Sequence, residues 1–204
     1  MEQYIILTFD LIGTAIFAVT GALRAVHLKL DLLGVVVFAC TVGVGGGMMR
    51  DTIIGAVPVA ALQDKTYLLV CIAAGLIVFS AARFFQAERR LIMFLDAFGL
   101  GVFTALGAAK GAEYGLESIG IVLTGVFTAV GGGVIRDVLA RQIPAVLTSD
   151  FYATASLLGG CLYCVLTITE LPLFWQFLIV TFVVSGIRIA AIKLRMHLPV
   201  ARFR

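Results

Sequence analysis

Seven long apolar runs alternate along the chain with short segments that carry most of its charged residues. Each run is close to the length of about 20 residues that an α-helix needs to cross the hydrocarbon core of a bilayer. The pattern therefore predicts an all-α transmembrane protein with seven helices, at residues 4–23, 32–57, 67–85, 91–109, 118–143, 152–169 and 173–193.

The composition points to a bilayer as the solvent of this chain. Of its 204 residues, 61% are hydrophobic and 13% are charged, and the mean hydropathy is +1.10. A soluble domain of this size could not hide so much apolar surface. We therefore expect a single transmembrane domain over residues 1–204.

A sequence motif occurs twice. GGGMMRD at residues 45–51 returns as GGGVIRD at 131–137, each residue 86 positions after its partner. Helices one to three thus map onto helices four to six, giving repeats at about 4–86 and 90–170 and an extra helix at about 173–193. Because three spans per repeat is an odd number, the second repeat should be inverted. The same offset pairs Asp10 with Asp96, Gly13 with Gly99, Phe17 with Phe103, Gly21 with Gly107, Asp31 with Glu117, Gly34 with Gly120, and Asp64 with Asp150.

Basic residues in the loops predict the orientation of the helices. Lys65 and Lys110 lie on one side of the predicted membrane, and ten basic residues lie on the other. Since cytoplasmic loops are enriched in Lys and Arg, the N-terminus should be outside and the C-terminus cytoplasmic. The ten are Arg24, Lys29, Arg83, Arg89, Arg90, Arg141, Lys193, Arg195, Arg202 and Arg204.

The glycine triplets predict breaks in helices two and five. Each glycine weakens helical propensity by about 1 kcal/mol relative to Ala, and non-helical backbone at membrane depth survives only in protein or beside water. Two broken helices that meet near the midplane would line an ion or substrate path. Alternatively, the glycines only allow close helix packing. The expected lining residues are Gly45, Gly46, Gly47, Asp51, Gly131, Gly132, Gly133, Asp137, Thr41 and Thr128.

Buried arginines require partners, because an arginine inside a span costs about 2.5–3.5 kcal/mol on insertion scales. Estimated depths match Arg50 with Asp10 in the outer half of the membrane and Arg136 with Asp96 in the inner half. We predict these two ion pairs, in a structural or gating role. The alternative is that both aspartates lie close enough to the interfaces to be solvated.

The motif also places an aspartate directly after each arginine. Neighbouring side chains on a helix point about 100° apart, so Arg50 and Asp51 should not pair. Asp51 and Asp137 are then expected to face the aqueous path or to bind amides freed by the helix breaks.

Several other functions are disfavoured by the residue pattern. Cys161 and Cys164 form a C-x-x-C without a nearby histidine or second cysteine pair, so we expect packing residues and no metal or cofactor. No basic tract indicates nucleic acid, and no catalytic triad or phosphate-binding loop indicates an enzyme.

The doubled G-G-G-x-x-R-D motif, the 3+3+1 plan and the length resemble the prokaryotic branch of the trimeric intracellular cation (TRIC) channels, and a related set of bacterial putative glycine transporters. The resemblance implies a homotrimer in a lipid bilayer, the inner membrane of a bacterium, with a pore in each protomer that passes monovalent cations such as potassium. From the residues alone the sign of the ion stays open, as do a small amino-acid transporter and a structural membrane protein. The Lys-Glu-Val motif of animal members, linked to phosphoinositide binding, is absent.

The loop charges give a test of topology. A reporter fused after Arg204 should be cytoplasmic, and a cysteine introduced as Glu2→Cys should react with an impermeant reagent from outside, because the odd number of spans separates the termini. Finding both termini on one face would contradict the seven-span arrangement.

Overall fold

The computed structural model describes residues 2–82, 89–148, 151–169, 171–194 and 196. Some of the predictions above concern positions outside these ranges. They are the end of the third predicted helix at 83–85, Asp150 as the partner of Asp64, and the four loop charges Arg83, Arg195, Arg202 and Arg204.

The described chain is all α-helical. Five helices are long and apolar enough to cross a membrane: α1 (Glu2–His27), α2 (Leu32–Ile53), α5 (Arg89–Glu113), α6 (Ser118–Leu139) and α9 (Leu173–Leu194). Two apolar helices are shorter, with 16 residues in α4 (Lys65–Ser80) and 14 in α8 (Ala153–Leu166). Two single turns complete the described elements, α3 (Ala60–Gln63) and α7 (Ala145–Thr148).

Two helix starts are capped by residues of the repeat. The Asp31 carboxylate accepts from the Gly34 amide at 2.8 Å before α2, and Asp64 accepts from the Thr66 amide at 2.8 Å before α4. Both satisfy amides that a helix N-terminus leaves unpaired. Glu117, the partner of Asp31 in the second repeat, makes no such side-chain bond before α6.

The predicted helix breaks are wrong. Helix α2 runs without interruption through residues 45–47, and α6 runs through 131–133. The chain leaves the helices later, after Ile53 and Leu139, which is four residues before the predicted ends at 57 and 143. The low propensity of glycine is overridden here because the triplets, buried except for the half-buried Gly47, lie where two helices pack.

The triplets bring the backbones of α2 and α6 together. A Cβ atom added at Gly132 would lie 2.8 Å from the Val42 carbonyl oxygen, and one added at Gly46 would collide with the Thr128 carbonyl oxygen. The contacts are related by the 86-residue offset, since Val42 pairs with Thr128. In this conformation the glycines therefore act as small residues at a helix crossing, which was the alternative interpretation.

The long helices α1 and α5 pack on either side of this crossing. Helix α1 packs on α2 and α4, α5 packs on α6 and α8, and α1 also contacts α5. At the α1–α5 contact the fully buried rings of Phe17 and Phe103 stack, with centroids 5.2 Å apart and an angle of 9° between the ring planes. Helix α9 packs on α5 and α8.

The crossing predicts the effect of adding one methyl group. Gly46→Ala and Gly132→Ala should each lower the free energy of unfolding by about 1–3 kcal/mol, because backbone atoms of the facing helix must move. The control is Gly186→Ala in α9, where an added Cβ meets nothing within 4 Å. It should be neutral or stabilising by about 0.5–1 kcal/mol, as alanine is the better helix former. Thermal unfolding in detergent measures all three, and equal shifts would contradict the close crossing.

Candidate functional site

Arg50, in the last turn of α2, is the centre of a buried charged cluster. Its Nη2 lies 3.3 Å from Asp10 Oδ2, and its Nε donates to Asp51 Oδ1 at 2.8 Å. The Tyr67 hydroxyl donates to Asp10 Oδ2 at 3.1 Å. Arg50 is 1% exposed and both aspartates are 3% exposed. These four residues are called the Arg50 cluster below.

Arg136 forms a corresponding cluster from the second repeat. Its Nη1 donates to Asp96 Oδ1 at 2.6 Å, and its Nε donates to Asp137 Oδ1 at 3.0 Å. The same Nη1 lies 3.4 Å from the Thr20 hydroxyl of α1. These four residues are called the Arg136 cluster below.

Both predicted ion pairs, Arg50 with Asp10 and Arg136 with Asp96, are present. The alternative, in which the two aspartates are solvated, is wrong because both carboxylates are buried. Burial of these charges requires compensation by close, hydrogen-bonded partners, and each guanidinium has two carboxylates.

The prediction that Arg50 and Asp51 do not pair is also wrong, and the same holds for Arg136 and Asp137. The 100° between neighbouring positions applies to the Cα–Cβ directions. An arginine side chain is long enough to bend around the helix, so its Nε reaches the next residue while its terminal nitrogens reach another helix.

The two motif aspartates also hold the chain that follows each helix. The second oxygen of Asp51 accepts from the Ala60 amide at 2.9 Å, and that of Asp137 accepts from the Ala145 amide at 2.8 Å. These amides open the single turns α3 and α7. Asp51 and Asp137 thus bind backbone amides as expected, but those amides lie after the helices and not at the glycine triplets.

The third glycine of each triplet lies beside a guanidinium. A Cβ added at Gly47 would lie 3.8 Å from Arg50 Nη2, and one added at Gly133 would lie 3.7 Å from Arg136 Nη2. The first glycines face the opposite helix instead: a Cβ at Gly45 would lie 2.5 Å from Ile135 Cδ1. Each triplet therefore packs against the facing helix and also borders a charge cluster.

The two threonines expected in the path do not join the clusters. The Thr41 hydroxyl donates to the Val37 carbonyl at 2.8 Å, and the Thr128 hydroxyl donates to the Thr124 carbonyl at 2.6 Å. Both bonds are made to the residue's own helix, as hydroxyls in membrane helices often do. Thr128 contributes to the crossing through its backbone carbonyl.

Tyrosines and two further arginines were missed by the sequence interpretation. Tyr67 and Tyr152 stand at the start of the third helix of each repeat, but one position short of the common offset, so an ungapped comparison hides them. Tyr152 is buried beside Gly133, and the Arg188 guanidinium lies 4.8 Å from its ring centroid. Arg24 and Arg188 line the same cavity as Arg136. Allowing a one-residue gap in the comparison of the two repeats would have aligned Tyr67 with Tyr152.

Cavities adjoin both clusters. A cavity of about 130 Å³ beside the Arg136 cluster, the Arg136 cavity, is lined by polar residues that include Arg24, Asp96, Arg136, Asp137, Gln142 and Arg188. Two cavities of about 190 and 240 Å³ beside the Arg50 cluster share Ala60 and Lys110 and are called the Lys110 cavities. One of them is lined by Asp51 and the other by Asp10 and Glu113.

The chain is similar to bacterial membrane proteins over nearly its whole length. A family model described as Glycine transporter matches residues 7–83 and 93–168. A UPF0126 membrane protein of Vibrio cholerae is 36% identical over 200 residues, which are 98% of this chain and 84% of that protein. The UPF0126 inner membrane protein YadS of Escherichia coli is 37% identical over 195 residues, or 93% of each chain.

A solved structure has the same fold. It is that of the TRIC trimeric intracellular cation channel orthologue from Rhodobacter sphaeroides, with a TM-score of 0.89 and 31% identity over 94% of this chain and 98% of that one. The family model covers more than half of the chain, and these relatives exceed 30% identity over most of their length. This chain is therefore a multi-pass membrane protein that belongs to the Glycine transporter family and to the family of the prokaryotic TRIC channels.

Proposed function

We propose that this protein is a monovalent cation channel, permeable to potassium, with a pore in each protomer between α1, α2, α5 and α6. The observation that carries the proposal is the pair of buried charge clusters, one toward each end of these helices, each beside a cavity. Membrane helices bury charges of this kind where ions pass. The Rhodobacter sphaeroides relative is described as a cation channel.

The charge balance favours cations at the Arg50 cluster. Asp10 and Asp51 stand against a single arginine, and the Lys110–Glu113 pair nearby, with nitrogen and oxygen 3.5 Å apart, is neutral in sum. A mouth lined by a net negative charge raises the local concentration of cations. The described lining of the Arg136 cavity is more basic, so entry from the Lys110 cavities should be the easier direction for a cation.

The inverted arrangement of the repeats is part of the proposal. Along α1 the order is Asp10, Phe17, Thr20, which leads from the Arg50 cluster to the Arg136 cluster. Along α5 the order is Asp96, Phe103, Lys110, which leads the opposite way. This order supports inverted repeats at about 4–86 and 90–170. We propose that they form a seven-span domain over 1–204 together with an extra helix at about 173–193.

We further propose a homotrimer in the bacterial inner membrane, with the N-terminus outside and the C-terminus cytoplasmic. The Rhodobacter sphaeroides relative is described as trimeric and the Escherichia coli relative as an inner membrane protein. Large apolar side chains on the helices need cover by lipid or by neighbouring subunits. Examples are Ile77, Ile119, Trp175 and Phe182, which are more than half exposed in the single chain.

A small amino-acid transporter is the second candidate. The description of the family model favours it, as does the Arg136 cavity, which offers guanidinium groups to a carboxylate and carboxylates to an ammonium group. Both candidates use the path between the two clusters.

Recording from purified protein in planar bilayers separates the candidates. A channel should show unitary current steps whose reversal potential follows the potassium gradient. Saturable glycine uptake into vesicles without such steps would favour the transporter and contradict the channel.

The charge clusters predict that replacing their different residues will lower the free energy of unfolding by different amounts. Arg50→Ala leaves two buried carboxylates without a cation and should cost about 3–5 kcal/mol of unfolding free energy. Asp10→Ala should cost less, because Asp51 still neutralises Arg50. The double variant should be milder than Arg50→Ala alone, and Arg136 with Asp96 should behave in the same way.

A double-mutant cycle in thermal unfolding measures this coupling. The control is the half-exposed pair of Lys110 and Glu113, whose coupling should not exceed about 1 kcal/mol. Additive effects at both arginines would contradict the assignment of the ion pairs.

A further inference from the structure

The stacked rings of Phe17 and Phe103 lie between the two charge clusters. Phe17 follows Asp10 by seven residues on α1 and precedes Thr20 by three, so it stands about 10 Å from the first along the helix axis and about 4.5 Å from the second. Phe103 stands between Asp96 and Lys110 on α5 in the same way. Along the helix axes the stack therefore lies between the Lys110 cavities and the Arg136 cavity.

Glycines surround both rings. A Cβ added at Gly13 would lie 2.6 Å from the Phe103 ring, and one added at Gly99 would lie 3.0 Å from the Phe17 ring. The Phe17 ring also lies 3.2 Å from the position of a Cβ at Gly132. At these glycines the helices present backbone to the rings. If a ring is removed, no neighbouring side chain on these sides can move in to fill the space.

We propose that the Phe17–Phe103 stack is the closed gate of the cation path. The inference rests on the proposed channel and adds the residues that close it. A hydrated cation cannot cross a dry contact between two aromatic rings, and apolar constrictions close channels by excluding water. Opening requires the rings to separate, which would join the Lys110 cavities to the Arg136 cavity.

A second buried aromatic pair lies away from the proposed gate and provides a control. Phe177 of α9 is also fully buried and stacks on Phe9, with centroids 4.7 Å apart. Helix α9 packs against the outside of α5, so Phe177 does not separate the clusters. Truncating it removes the same atoms from an equally buried site.

The test compares Phe17→Ala and Phe103→Ala with Phe177→Ala in planar bilayers. We expect each of the first two to raise the open probability at least tenfold, and Phe177→Ala to leave it unchanged. Phe17→Leu and Phe103→Leu should restore much of the closed state, since leucine refills the space with apolar atoms. Thermal unfolding of every variant reports the loss of packing, which should be similar for the three alanines.

A second measurement detects the water path without ion current. Thr20→Cys is introduced after Cys40, Cys71, Cys161 and Cys164 have been replaced, and a cationic thiol reagent is added on the face of the Lys110 cavities. The new thiol should react at least tenfold faster when Phe17 or Phe103 is alanine than with both rings present or with Phe177→Ala.

The outcomes separate the gate from the channel. If the ring variants lose stability without gaining current or thiol reactivity, the stack is only core packing and the gate is overturned, while unitary steps in the unsubstituted protein retain the channel. If no variant conducts but the thiol is reached only when a ring is removed, the stack does close a water path and the cation channel is overturned.

Discussion

Two buried guanidinium groups impose the main constraint on this protein. Arg50 and Arg136 have almost no contact with solvent, and a charge in that position persists only if nearby groups compensate it. Each arginine therefore joins a carboxylate of the preceding helix to one on its own helix, and the latter also binds the first amide of the next short turn. In each repeat the arginine and its two carboxylates thus hold three consecutive segments in place.

The glycine triplets make this arrangement sterically possible. Close approach of α2 and α6 requires the absence of side chains at Gly46 and Gly132, and Gly133 leaves room for the Tyr152 hydroxyl, which would lie 2.7 Å from an added Cβ. Helical propensity is secondary, because packing in the bundle holds the glycines in the helix.

Conduction and closure are then assigned to different layers of the same four helices. The charge clusters and their cavities would bring cations to either end, and the aromatic stack with the glycine crossing would keep the middle dry. Residues related by the 86-residue offset contact each other in this middle layer, as Phe17 does with Phe103. Small relative movements of α1 and α5 would therefore act on the stack directly, since each helix contributes one ring.

The sequence alone determined the class of the molecule, its duplication and the partner on another helix of each buried arginine, because apolar run length, a constant 86-residue offset and the cost of an unpaired charge are properties of the chain itself. Tertiary structure decided what a local pattern could not. Whether the Gly45–Gly47 segment breaks or packs depended on the helix facing it, and the Arg50–Asp51 contact depended on how far a flexible side chain bends. The roles of Tyr67, Tyr152 and Arg188 arose only when α4, α8 and α9 were packed against the clusters, because distant residues become neighbours through the fold.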